Sequence, residues 1–319
     1  MPNDPRLDPE MAAFTAMMEA RAQPIALPAA PRAAPFEPLR RLNDGPQEAL
    51  AEGGPLMAES RDLWWPIRGR RTLVRLHRPV AGGALPVLLY LHGGGWVWGS
   101  IDTHDRLMRA YAAAAGCAVL GLDYALSPEA VFPQALEECA AALRFAAARG
   151  AEWGLDGARI VLGGDSAGAN LAAATALLNA EAADPVPLRG LLLNYGVFDH
   201  DLDTPSYREF AAGYGLTRDK MRFYWDAYCP DPLARLSPLA SPLRGDLSVL
   251  PPTLLHVAEL DVLASENHAF AEKLRQAGVK LELEVFPGTV HGFLRAQGRV
   301  GATDRATAAA ASWLGARLA

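Results

Sequence analysis

Short runs of apolar residues alternate along the chain with longer segments in which apolar residues recur at helical spacing. Residues 72–79 alternate polar and apolar side chains, as a half-exposed strand does, whereas residues 85–91 are apolar throughout. A continuous apolar run of this length is typical of a strand that is covered on both faces. Similar runs follow at 117–122, 159–164, 190–195, 253–258 and 281–286.

Helical patterns separate these strands and give the fold class. They cover residues 105–115, 134–149, 167–180, 265–277 and 303–318. Regular alternation of strand and helix predicts an α/β fold, in which a mostly parallel sheet lies between helices. Half of the residues are hydrophobic, which is enough for a large core.

Two segments depart from this alternation and suggest a cap over the sheet. Residues 1–60 offer a short helix at 11–21, and the prolines that follow argue against further regular structure: Pro24, Pro28, Pro31, Pro35 and Pro38. Residues 197–250 contain a helical pattern at 218–228 and no strand pattern. We therefore expect a two-part cap, residues 1–60 and 197–250, on a catalytic domain formed by 61–196 and 251–319.

Charge and cysteine content narrow the class of protein. The formal net charge is −6 and the 30 basic residues are spread along the chain, which argues against nucleic acid or an anionic membrane as partner. The three cysteines, Cys117, Cys139 and Cys229, form no CxxC pair and are expected to be buried free thiols. No signal peptide pattern begins the sequence and no apolar run approaches the roughly 20 residues of a membrane span. A cytoplasmic location is expected.

Ser166 lies in the sequence Gly-Asp-Ser-Ala-Gly between a predicted strand and a predicted helix. In a strand–turn–helix context this G-x-S-x-G pattern predicts a nucleophile elbow, where Gly164 and Gly168 leave room for a tight corner and the serine is held in a strained conformation. A phosphate-binding loop is the alternative, but the glycine spacing differs and no lysine follows. Ser166 is the candidate nucleophile.

A second glycine cluster, residues 92–100, follows the buried strand 85–91. Consecutive glycines let backbone N–H groups approach a ligand, so Gly93 and Gly94, with the Ala167 amide, are candidates for an oxyanion hole. His92 is expected to hold this loop in place.

The candidate base and acid follow from chain order. His291 comes just after the last strand, and Asp261 follows the strand at 253–258. The resulting order of serine, acid and histidine is that of α/β-hydrolases. Glu259 and Glu266 are nearby alternatives for the acid, and Asp199 is a weaker one.

These motifs together resemble the bacterial hormone-sensitive-lipase family of α/β-hydrolases, in its acetyl-esterase-like branch with a GDSAG elbow. The matching stretches are 92–100, 122–138, 163–172, 239–263 and 286–293. The resemblance implies an α/β-hydrolase fold with a helical cap, a Ser166–Asp261–His291 triad and a supporting element at residues 124–129. The chain departs from the family at Ala169, where a second glycine is common, and at Ala264 and Ser265.

The expected function is that of a serine carboxylesterase acting on short-chain or aryl esters, with no cofactor and no metal. Trp96, Asp165 and Tyr195 are expected to contact the substrate. An amidase, lactonase or transacylase with the same triad stays open, as does a non-catalytic small-molecule binding protein on this scaffold. The last strand and the final helix are candidates for a homodimer interface.

Overall fold

An eight-stranded sheet forms the centre of the protein in a computed structural model, which describes residues 4–23, 25–28, 30–32 and 35–319. Its spatial order is β1-β2-β4-β3-β5-β6-β7-β8. The strands are β1 (Glu59–Ile67), β2 (Arg70–Arg78), β3 (Leu85–Leu91), β4 (Ala118–Leu122), β5 (Leu155–Asp165), β6 (Leu188–Asn194), β7 (Thr253–Leu260) and β8 (Leu281–Val290).

The sheet is parallel from β4 to β8, as the apolar runs predict. Only β1 with β2 and β2 with β4 pair antiparallel among the described strands. In the central strands Leu89 lies opposite Leu120 on one side and Leu162 on the other, and both faces are buried. The carboxyl ends of these parallel strands share one edge, where open α/β sheets bind ligands.

The helices flank this sheet or lie at its carboxyl edge. They are α1 (Pro9–Arg21), α2 (Glu37–Ala51), α3 (Asp105–Ala115), α4 (Gln134–Arg149), α5 (Ala167–Ala180), α6 (Pro205–Glu209), α7 (Arg218–Tyr228), α8 (Ala264–Gln276) and α9 (Gly301–Leu318). Helix α3 packs on α9, and α4 packs on α5. The fold is that of an α/β hydrolase.

Helix α2 corrects the expectation that prolines keep the segment after residue 24 irregular. It runs from Glu37 to Ala51, with Pro38 in its first turn and Pro46 in its interior. Proline is tolerated in the first turn because the backbone N–H there needs no helical partner. Strand β1 is not among the strands that the sequence predicts, and it accommodates Pro66 because β1 is an edge strand.

Residues 197–250, between β6 and β7, are fully described and contain no strand. Helix α7 occupies residues 218–228, as the sequence predicts, and the short helix α6 precedes it. The three cysteines are buried and free. In the described residues we find no helix with the length and apolarity that a membrane crossing requires.

Asp123, at the end of β4, provides a test of the folded state. Burial raises the pKa of its carboxyl to about 6, although Arg70 opposes the shift. Because the folded pKa is above the unfolded value, the stability from proton binding is complete at low pH and is lost as pH rises through 6. We expect Asp123→Asn to raise the free energy of unfolding at pH 8 by at most about 3 kcal/mol, and therefore to raise the melting temperature there. At pH 4.5 the melting temperature should change little. Equal effects at both pH values, by scanning calorimetry, would contradict this.

Candidate active site

Ser166 lies at a sharp turn between β5 and α5. Its φ of 55° and ψ of −120° are strained for a residue with a side chain. A Cβ on Gly168 would lie 1.9 Å from the carbonyl oxygen of Leu91, so only glycine lets α5 begin this close to β3. The Ser166 N–H donates to the Asn194 carbonyl (2.9 Å), which ties the turn to β6. The turn has the geometry of a nucleophile elbow.

The ends of β7 and β8 bring an acid and a base to this serine. His291 Nε2 lies 2.9 Å from Ser166 Oγ, and His291 Nδ1 lies 2.7 Å from Asp261 Oδ2. The other oxygen of Asp261 accepts the Leu263 N–H at 3.1 Å, which fixes the carboxylate plane. A carboxylate only accepts hydrogen bonds, so Nδ1 carries the proton and Nε2 accepts from the serine hydroxyl.

The alternative acids are engaged elsewhere. The Glu259 carboxylate accepts the N–H of Gly288 (2.7 Å), a residue near the end of β8 that precedes His291. Glu266 is buried and accepts the Phe198 N–H (2.6 Å), and burial raises the pKa of its carboxyl well above the usual value. Asp199 is paired with Arg244 at 2.8 Å. Asp261, and none of these three carboxylates, is therefore the hydrogen-bond partner of His291.

The glycine loop presents a different set of amides from the one expected. The Gly93 N–H is directed to Asp165 Oδ1 (3.1 Å) and is therefore already engaged. The amides of Gly94, Gly95 and Ala167 donate no hydrogen bond within the described part of the chain. Ala167 is the first residue of α5, where a helix leaves its N–H groups unpaired. Gly95 therefore replaces Gly93 in the set of candidate donors, and Gly94 and Ala167 stay in it.

Asp165 lies at the floor of the cavity but bonds to protein groups. Besides Gly93 it accepts from Tyr90 Oη (2.9 Å), and His104 Nε2 lies 3.3 Å away. Burial raises the pKa of this carboxyl, and the stronger effect of His104 and Tyr90 lowers it to about 2. These contacts indicate that Asp165 fixes the glycine loop, which differs from the predicted substrate contact.

Trp96 and Tyr195, the other predicted substrate contacts, lie outside the lining of the cavity that the structure describes. The Trp96 ring is fully buried and stacks on Tyr228 with centroids 4.2 Å apart. The Tyr195 ring meets the His291 imidazole edge-on at 5.0 Å. Both are core residues that support the site from behind, and Trp98 is the tryptophan that lines the cavity.

Helix α2 holds the glycine loop, a role that the sequence did not reveal. Arg40 Nε donates to the Val97 carbonyl (2.9 Å), and its Nη2 donates to the Ser127 carbonyl (2.8 Å). One turn later the Asp44 carboxylate accepts the Gly99 N–H at 3.1 Å. The N-terminal segment is thus part of the support of the site.

His92 supports the same loop from its other end, as expected. Its ring stacks on Tyr124 with centroids 4.3 Å apart, and Tyr124 Oη donates to the His92 carbonyl (2.7 Å). Burial lowers the pKa of His92 to about 3, so the imidazole is neutral near pH 7. His92 Nδ1 lies 2.9 Å from the Gly93 carbonyl.

A cavity of about 340 Å³ opens above Ser166 and His291. Its walls come from the segments that the sequence assigns to a cap, together with the glycine loop. Helix α1 supplies apolar side chains, α2 supplies one face, and α7 supplies a mixed surface; the lining includes Met11, Phe14, Met18, Leu42, Pro46, Gln47, Lys220, Met221, Tyr224 and Arg295. The cavity can hold a small organic molecule over the serine.

Two acidic side chains of the insertion between β6 and β7 are paired with arginines. In the acidic stretch 199–203, Asp199 pairs with Arg244 and Asp203 pairs with Arg208. Across the described ranges no group of three or more His, Cys, Asp or Glu is arranged to hold a metal ion.

A parallel sheet with a serine at the elbow after β5, an acid after β7 and a histidine after β8 defines an α/β hydrolase. The chain belongs to the α/β hydrolase family, whose model matches residues 88–295. Within that family the resemblance to the hormone-sensitive-lipase branch is confirmed.

Relatives and solved structures agree with this assignment. The chain is 40% identical over 220 residues to carboxylesterase NlhH of Mycobacterium tuberculosis, covering 68% of this chain and 69% of that protein. A thermostable esterase from Pseudomonas putida ECU1011 superposes with a TM-score of 0.89 at 32% identity and covers 99% of both chains. The thermophilic carboxylesterase EstE1, from a metagenomic library, gives a TM-score of 0.86 at 35% identity and covers 90% of this chain and 99% of its own.

Proposed function

We propose that this protein is a serine carboxylesterase that hydrolyses short-chain or aryl esters through an acyl-enzyme. The observation that carries this proposal is the continuous path of short contacts from Asp261 through His291 to the Ser166 hydroxyl. The family and the carboxylesterase relatives agree with the reaction class.

In the proposed reaction, Ser166 Oγ attacks the ester carbonyl carbon while its proton moves to His291 Nε2. The carbonyl oxygen becomes an oxyanion, and the amides of Gly94, Gly95 and Ala167 donate to it. When the C–O bond to the alcohol breaks, His291 returns the proton to the leaving oxygen. Asp261 orients the imidazole and stabilises its cationic form.

Deacylation repeats these steps with water. His291 removes a proton from the water, whose oxygen attacks the acyl carbon, and the oxyanion again lies against the same amides. The C–O bond to Ser166 then breaks, the serine recovers its proton and the carboxylic acid leaves.

The size of the cavity predicts a preference for short acyl chains. A volume of about 340 Å³ lies at the low end of the roughly 300–1,000 Å³ usual for ligand pockets. Across p-nitrophenyl esters from acetyl to palmitoyl we expect kcat/KM to peak at two to six carbons, and to fall roughly tenfold or more by twelve because the acyl chain outgrows the enclosed space. Rates that keep rising to palmitoyl would contradict this preference.

Amide, lactone or acyl-transfer activity is the alternative within the same chemistry. Matched esters, anilides and lactones, each assayed with and without an alcohol acceptor, separate these activities. We expect hydrolysis of the ester to be the fastest. A binding protein without activity would turn over none of them.

The proposal includes the two-part cap, a homodimer and a cytoplasmic location. Residues 1–60 and 197–250 both supply walls of the cavity, which supports their role as one cap.

Strand β8 is an edge strand, and edges of this kind pair with a second copy unless they are protected. The three free cysteines suit a reducing compartment. Light scattering of the purified chain measures the oligomeric state.

A further inference from the structure

Two cations line the cavity above the nucleophile. Arg295 follows His291 by four residues and reaches the cavity from the 3₁₀ turn after β8, and Lys220 reaches it from α7. No carboxylate of the described chain lies within 4.0 Å of either side chain. Most arginines near the surface of this protein have such a partner, including Arg40, Arg75 and Arg244. What distinguishes these two cations is that they line the cavity and have no carboxylate partner there among the described residues.

The bonds that Arg295 makes leave its charge uncompensated. One terminal nitrogen donates to the side-chain oxygen of Gln47 on α2, and Nε donates to the Gly292 carbonyl at 3.4 Å. Both acceptors are neutral. A guanidinium offers five N–H donors in a planar fork, so donors remain for a carboxylate. Gln47 and Gly292 thus hold the guanidinium beside the cavity without neutralising it.

Lys220 is placed in a similar way. Its ammonium donates to the Gly215 carbonyl at 3.1 Å. Removal of water by surrounding protein lowers the pKa of Lys220, and the positive charge of Arg295 lowers it further. The two cations therefore act on the same region of the cavity.

Two carboxylates also line the cavity, so the formal charges of its Arg, Lys, Asp and Glu side chains cancel. Glu19, on α1, also lines it and acts on Lys220, but from beyond ion-pair distance. Asp165 lies at the floor and is committed to Tyr90, Gly93 and His104. Because neither carboxylate pairs directly with Arg295 or Lys220, the guanidinium and ammonium N–H groups are left to bind an anionic ligand.

We propose that the site accepts esters that carry a carboxylate, which Arg295 binds as a bidentate partner while Lys220 supplies a second positive charge. This proposal deepens the proposed function and rests on it. A planar guanidinium matches a carboxylate, and a neutral ester gains nothing from the pair. Within the short-chain and aryl esters of the proposed function, the favoured substrate is then an ester of a hydroxy acid or a half-ester of a dicarboxylic acid.

The test compares esters that differ only in charge. The substrates are 2-, 3- and 4-acetoxybenzoate and the corresponding acetoxybenzamides, which place an anionic or a neutral group at three positions around the same acetyl ester. For the most favourable isomer, we expect Arg295→Gln to reduce kcat/KM for the benzoate by about 10- to 100-fold. The benzamide should change less than about threefold, since it lacks the charge that Arg295 binds.

Further variants separate charge from structure. Arg295→Lys should keep part of the preference, Lys220→Gln should reduce it by a smaller factor, and Glu19→Gln should increase it. Arg144→Gln, at an exposed arginine on α4, is the matched control and should leave both substrates unchanged. Raising the salt concentration should weaken turnover of the benzoate alone.

A benzoate-to-benzamide ratio that is the same in wild type and Arg295→Gln would overturn the anionic site. Equal losses on both substrates would do so as well, because they would mean that Arg295 only holds the cap to the His291 loop. Failure of the proposed function gives a different result, since the wild-type protein would then hydrolyse neither ester.

Discussion

Replacing Ser166 with alanine should lower kcat for p-nitrophenyl acetate by roughly 10⁴-fold or more, with the fold intact. The serine is the only group of the path that forms a bond to the acyl carbon, so its loss removes the acyl-enzyme route altogether. Alanine has no hydroxyl but accepts the same backbone, so the melting temperature should stay within a few degrees. Initial rates and calorimetry on the same preparation measure both quantities.

Two comparisons make this result specific. Ser248→Ala, at an exposed serine before β7, should retain wild-type activity. The double variant Ser166→Ala/His291→Ala should be no slower than Ser166→Ala alone, because the residues of a triad act as a unit. Additive losses, or a Ser166→Ala protein with activity within tenfold of wild type, would contradict the proposed mechanism.

Gly94→Ala should give the second large effect, a fall in kcat of about 10²- to 10³-fold or more. Gly94 has a φ of 128°, and a Cβ at this position would lie 2.0 Å from the Trp98 carbonyl oxygen. That oxygen belongs to the backbone of the same loop, so the loop has to move and the amides of Gly94 and Gly95 leave their positions. The loss should fall mainly on kcat, since these amides act on the oxyanion, which is absent from the bound ester.

The matched control for this variant is Gly45→Ala on α2. A Cβ there has no neighbour within 4 Å, and the residue has an ordinary helical conformation. This change should leave kcat and KM near the wild-type values. A Gly94→Ala protein that is folded and retains more than a tenth of the wild-type kcat would show that the loop amides do not stabilise the transition state.

Much of the fold could be predicted because local patterns and long-range structure agree. Each buried apolar run became a parallel strand, and the residues after β5, β7 and β8 carry the three side chains that meet. The sequence favours Asp261 at a strand end and leaves Glu259 as an alternative. The structure gives the physical reason for Asp261, because the Glu259 carboxylate already accepts the Gly288 N–H. Motifs at strand ends are informative because those ends share one edge of the sheet.

The parts that could not be predicted depend on contacts between distant segments. Helix α2 contains Pro46, so its sequence argues against a helix; the Arg40 and Asp44 contacts with the glycine loop, visible only in three dimensions, stabilise it there. Gly93 and Gly95 both lack a side chain, so the sequence cannot tell their amides apart. In the structure the Asp165 carboxylate accepts the Gly93 N–H and thereby distinguishes them. Trp96 and Tyr195 were misplaced for a related reason, since composition cannot distinguish a buried aromatic ring from one that faces a cavity.

Stoichiometric reaction with a fluorophosphonate tests most directly whether Ser166 is a nucleophile activated by His291. Intact-mass and peptide-mass measurements should find one adduct per chain, on the peptide that contains Ser166. The adduct should be absent in Ser166→Ala and should form at least about 10³-fold more slowly in His291→Ala. An adduct on another residue, or labelling of Ser166 at the wild-type rate in His291→Ala, would contradict the claim that His291 activates Ser166 as the nucleophile.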